Sequence, residues 1–143
     1  TGEGYLLKPN HPTFYIRRSI GGNGRSAATP ITEWSSTYNN GAHNNGGHFN
    51  TSTGLFTAPV SGHYHFSACG GYKQTGISFN QKFRLNNTPI TEGTRLVSGL
   101  TDHSTATISA TIYMTAGQTL GLMIEFEHHV NTTYNFFSGH LVG

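Results

Sequence analysis

The chain has 143 residues, 34% hydrophobic, 12% aromatic and only 10% charged, with 19 glycines, a composition that fits one turn-rich β domain and not a helical protein. Its 8 basic and 6 acidic residues give a formal charge of +2 with no basic stripe, Arg17 and Arg18 being the only basic doublet, which argues against nucleic-acid binding. No run approaches the ~18 apolar residues that span a membrane, so membrane insertion is not expected, and the single cysteine, Cys69, leaves stability to packing or association instead of an intrachain disulfide.

In chain order, TGEGYLLKPNHP lacks the charged-then-apolar plan of a signal peptide and reads as the start of a soluble piece cut from something longer. PTFYIRRS is the first strand, and GGNG at Gly21 to Gly24 is a turn before the short strand ITEWSST. NNGAHNNGG, Asn39 to Gly47, reads as a loop. HFNTSTGLFTAPVSGHYHFSA, His48 to Ala68, reads as strand, turn, strand, with Phe49 and Phe56 closing a core on either side of the turn at Asn50 to Gly54. Pro59 ends a strand because it lacks the ladder donor, and Gly62 lets the chain reverse. Alternation then sends Tyr64, Phe66 and Ala68 inward and leaves His63, His65, Ser67 and Cys69 on the other face.

The period of two continues beyond the strand GHYHFSACGGY. In ISFNQKFRL, Ile77, Phe79, Phe83 and Leu85 fall on one side against Ser78, Asn80, Lys82 and Arg84. After a turn at Asn86 to Pro89 and a short strand at Arg95 to Val97, STATISATIYM points Ala106, Ile108, Ala110, Ile112 and Met114 inward. A turn at Ala116 and Gly117 leads to TLGLMIEFEHH, with Leu120, Leu122, Ile124 and Phe126 inward, and NFFSGHLVG closes the chain. The pattern predicts roughly eight to ten short strands, a sandwich or jelly roll, as one domain over 1–143 with no internal repeat or linker.

Phe49, Gly54, Phe56, Thr57, Pro59, Gly62, Tyr64 and Phe66 follow one another in an order that resembles the central signature of the complement component 1q globular head. FFSGHLVG resembles that family's closing strand through Phe137, Ser138, Gly139 and Leu141, and PTFYIRRS fits its first strand more loosely through Phe14. The resemblance implies an all-β, ten-stranded jelly-roll sandwich of the complement 1q and tumour necrosis factor-like type. It further implies a homotrimer around a threefold axis and a binding head at the end of a stalk, often collagen-like, supplied by the N-terminal part of the same chain.

His63 and His65 place two imidazoles on one strand face, near enough to chelate one ion. The cupin jelly rolls use such a pair with a following Glu, but here Ser67, Ala68, Cys69, Gly70 and Gly71 follow and no carboxylate comes before Glu92, so a cupin-like metal enzyme is disfavoured. Under threefold symmetry His63, His65 and His140 would supply nitrogens to an axial metal ion, the simpler reading being hydrogen-bonded histidines at an interface. Calcium, which the resemblance brings in, would fall to Glu125 and Glu127, although hard cations want more oxygens than these two offer.

No Gly-x-Ser-x-Gly motif and no phosphate-cradling loop occurs, so no enzyme is expected. Cys69 reads as a small buried hydrophobe, and the sequons at Asn50, Asn86 and Asn131 matter only in a eukaryotic secretory pathway. Trp34, Asn40, His43 and Asn44 are the ligand-loop candidates.

The expected function is a non-enzymatic trimeric head that caps an elongated fibre and binds a host-surface receptor or glycan, located extracellularly on a virion or cell surface. A secreted innate-immune pattern-recognition lectin is the alternative.

Overall fold

A computed structural model describes residues 11–18, 30–37, 41–71, 79–90, 95–97, 105–125 and 135–143, with the side chains at 71, 79, 80, 95–97, 124 and 125 left aside. The described residues contain twelve strand segments and no helix: β1 (Thr13–Arg18), β2 (Trp34–Ser35), β3 (His43–Asn45), β4 (Phe49–Asn50), β5 (Leu55–Thr57), β6 (Gly62–Gly71), β7 (Phe79–Leu85), β8 (Thr88–Pro89), β9 (Arg95–Val97), β10 (Thr105–Met114), β11 (Thr119–Glu125) and β12 (Phe136–Leu141). They form two six-stranded sheets. One runs β10-β6-β12-β1-β2 with β3 also on β1, and the other runs β4-β5-β11-β7-β8 with β9 also on β7. Every pairing is antiparallel.

This is the expected jelly-roll sandwich. The count exceeds ten because the edges of β1 and β7 are each covered by two short segments. One of these, β3, falls in the stretch read as a loop: Asn45, Asn44 and His43 pair with Thr13, Phe14 and Tyr15. Its glycines stand beside the strand and not within it, so they end the pairing without preventing it.

Alternation decides which side chains meet between the sheets. Tyr64, Phe66 and Ala68 of β6, Phe83 of β7, Leu120 and Leu122 of β11 and Phe137 of β12 are fully buried. Phe14 lies 4.9 Å from Phe49, 5.3 Å from Phe56 and 5.0 Å, edge-on, from Phe137, joining both sheets through ring contacts. Each such ring contributes about 1.5–3 kcal/mol by leaving water. Ile77 and Phe126 lie outside the described residues.

The β7 position between Phe79 and Phe83 on the inward side is Gln81, which the hydrophobic reading passed over. It is buried, and its Nε2 donates to the Ala106 carbonyl at 2.6 Å, a bond that offsets the cost of desolvating the amide nitrogen. Arg18 is likewise buried, at the inward end of β1, and pairs with Glu33 at 3.1 Å.

Two glycines act differently from one another. Gly54 has φ +71°, and an added Cβ would run into the Ile31 carbonyl, so the turn after β4 accepts glycine alone. Asn50 completes that turn by accepting from the Ser52 and Thr53 amides at 2.9 and 3.2 Å. Gly62, expected to reverse the chain, instead opens β6 with an unstrained backbone. Its missing side chain admits Leu141, whose Cδ1 would lie 2.9 Å from a Cβ there.

Candidate functional site

The outer face of the β10–β6–β12–β1 sheet carries the histidines. Strand register sets its rows: Thr111, His65, His140 and Thr13 lie side by side, and Ser109, Ser67, Ser138 and Tyr15 form the next row. Thr107, Cys69, Phe136 and Arg17 form a third. Arg17 is the only permanent charge among the described residues of these four strands on this face. Cys69 is free and points outward between Thr107 and Phe136, on the face where alternation put it, so it is only partly buried and not the buried hydrophobe it was read as. Tyr113 at 57% and Val142 at 59% exposure add apolar surface beside His63.

The histidine arrangement differs from the one read along β6. His63 turns to Tyr113, with ring centroids 5.2 Å apart and nearly edge-on. His65 meets His140 across the strand pair, with centroids 5.6 Å apart. Thr111 Oγ1 lies 3.1 Å from His65 Nδ1 and fixes that ring from the other side. Burial lowers the pKa of His140, and the nearby imidazoles of His65 and His11 lower it further because a second positive charge is unfavourable there. The charged form of His140 is therefore disfavoured. His11 was missed in the sequence because only the pairing of Thr13 with His140 brings the residues just before β1 to the last strand.

Among the described residues no group of three or more His, Cys, Asp or Glu is arranged to hold a metal ion. For calcium, Glu125 ends β11 and Glu127 lies outside the described residues.

The ligand-loop candidates are largely occupied with structure. Trp34 is buried against Phe137 at 6.1 Å, so it is withdrawn as a surface contact: β2 turns it inward. Asn44, half-buried, has a structural role: its side-chain amide donates to the Phe49 carbonyl at 2.7 Å and accepts from the Phe49 amide at 3.1 Å, tying β3 to β4. His43 stacks on Tyr15 at 6.5 Å, with Nε2 3.3 Å from Thr13 Oγ1 and Nδ1 3.0 Å from the Gly41 carbonyl. Asn40 lies outside the described residues.

A concavity that sequence reasoning did not find opens on the other sheet. It measures ≈ 450 Å³ and is lined by Pro30, Thr53, Leu55, Arg84, Asn86 and Thr119 among others. Its rim is set by Asn86 and Asn87, both at positive φ, and by the bond from the Thr119 amide to Asn86 Oδ1 at 2.9 Å. Arg84 Nε donates to the Asn87 carbonyl at 2.9 Å, which holds the guanidinium over the turn.

Comparison with known proteins bears on the whole arrangement. A search of curated proteins returns no match. Among solved structures, the globular domain of zebrafish complement 1qA protein is similar at TM-score 0.61 and 17% identity over 93% of this chain and 98% of that one, a likeness of fold alone. The family model described as C1q domain matches residues 14–142, from the first core phenylalanine to the exposed Val142. With that span covering nearly all of both sheets, the chain belongs to the C1q domain family, a family of non-enzymatic, trimeric recognition heads.

Proposed function

We propose that the protein is a homotrimeric head that caps an elongated fibre or stalk and attaches it to a receptor or glycan, as an extracellular part of a virion or microbial surface. The observation that carries this reading is the outer face of the β10–β6–β12–β1 sheet: broad, built from Ser, Thr and His, and bearing one permanent charge among its described residues. A sheet face meant for water is ordinarily studded with Lys and Glu, which also deter association. The outer face of β7 has that character, with Lys82 and Arg84. Burying the first face between copies leaves the second outward, where the Arg84 cleft is available to a small polar ligand. Three copies of one weak contact then give avid attachment.

Pro12, just before β1, lies beside Leu141, whose amide donates to the Pro12 carbonyl at 3.0 Å.

Light scattering tests the assembly. The 143-residue chain is expected at three times 15.5 kDa, and Ser138→Glu, which plants a carboxylate between Ser67 and Tyr15, is expected to shift it to monomer. A wild-type monomer at micromolar concentration would overturn the reading. A secreted recognition lectin would use the same cleft. Glycan-array binding combined with a gene neighbourhood free of virion components would favour it over the fibre tip.

A further inference from the structure

We propose that His65 and His140 form a two-imidazole site for a first-row divalent transition ion, one ion per chain, on the outer face of the β10–β6–β12–β1 sheet. The site is the cross-strand pair and not the His-x-His pair within β6. Both ligands come from one chain, so the pair is complete within a single copy.

The geometry fits chelation. An ion about 2.0–2.1 Å from each nitrogen, with a tetrahedral angle between them, holds two imidazole centroids roughly 5 Å apart. The observed separation is 5.6 Å, with the rings inclined at 48°. The remaining positions fall to water, since no third ligand completes a cluster among the described residues.

The surroundings prepare the pair. The Thr111 hydroxyl at His65 Nδ1 can accept its proton, which leaves the Nε2 lone pair for a metal, the arrangement that orients metal-bound histidines in general. Imidazole nitrogens select zinc and copper over calcium or magnesium. His63 is committed to Tyr113 and stands apart from the pair.

The test uses the whole chain purified without a histidine tag and titrated calorimetrically with Zn²⁺. One ion per chain is expected. His65→Asn and His140→Asn should each weaken binding by about tenfold or more and Thr111→Val by roughly tenfold, while His63→Asn stays within about twofold of wild type. Circular dichroism and solution mass check that each variant retains its fold and assembly. Electron paramagnetic resonance of the Cu²⁺-loaded wild type provides a readout that needs no variant, with two coordinated imidazole nitrogens expected. A single-nitrogen spectrum, the absence of Zn²⁺ binding, or a His63→Asn loss as large as that of His65→Asn would overturn the proposal.

Discussion

Replacing Gly139 with alanine tests how tightly the last strand is wedged into the sandwich. Gly139 faces inward on β12, opposite Phe14 of β1 and Phe66 of β6. A Cβ built there lies 2.6 and 2.8 Å from Phe66 ring carbons and 2.7 Å from a Phe14 carbon. Carbon atoms ordinarily settle about 3.5–4.0 Å apart, so the rings must retreat by roughly 1 Å. Phe66 has no room to do so alone, since its ring already meets Phe56 at 5.6 Å and Phe83 and Phe137 at 6.1 Å.

Overpacking of this kind costs about 1–3 kcal/mol, and exchanging glycine for alanine returns about 0.5–1 kcal/mol of chain entropy. The balance is a loss of about 1–2 kcal/mol, or a Tm lower by roughly 5 °C in a domain of this size. Thermal unfolding at one fixed protein concentration measures it, because association would make Tm depend on concentration. In a Phe66→Leu background the same substitution should cost less, the two sites sharing one contact. A Tm equal to or above wild type, or a cost unchanged by Phe66→Leu, would refute the reasoning.

Further outcomes follow from other contacts. Glu33→Gln should lower stability by about 3 kcal/mol, since it removes the carboxylate that faces a buried Arg18, and urea unfolding reads the change in midpoint. Asn44→Ala should cost about 1–3 kcal/mol, measured in the same way, by breaking both bonds to Phe49. Tyr64 has its pKa raised by burial, and its hydroxyl donates to the Val60 carbonyl at 2.7 Å, a bond that only the protonated form can make. The unfolded chain ionises first, so the stability this group contributes is present below pH 10.0 and falls as pH rises above it. Tyr64→Phe should flatten that alkaline decline while costing about 1 kcal/mol at neutral pH, as followed by denaturation across a pH series.

The architecture was legible because hydrophobic alternation is a direct image of two-sided strands. Tyr64, Phe66 and Ala68 on β6, and Ala106 to Met114 on β10, fall where the period of two puts them. Polar residues with inward roles were not, since Gln81 and Arg18 are tolerated inside only through partners distant in sequence. The histidine site was half legible. Spacing along β6 brought His63 and His65 to one face, but which imidazoles meet depends on register between β6 and β12, and sequence spacing within a strand carries no register. The Arg84 cleft left no signal because it is made where four separate segments approach.

The position of β12 between β6 and β1 bears on how the protein is made. The first strand and the sixth are both synthesised before the strand that joins them, so until it docks their two edges lack the partner that makes the finished ladder continuous. Folding must therefore wait for the distal part of the domain to leave the ribosome, and the closing pairings span nearly the whole domain, a topology associated with slow folding. During that wait, newly made chains carry unpaired strand edges with the capacity to capture one another.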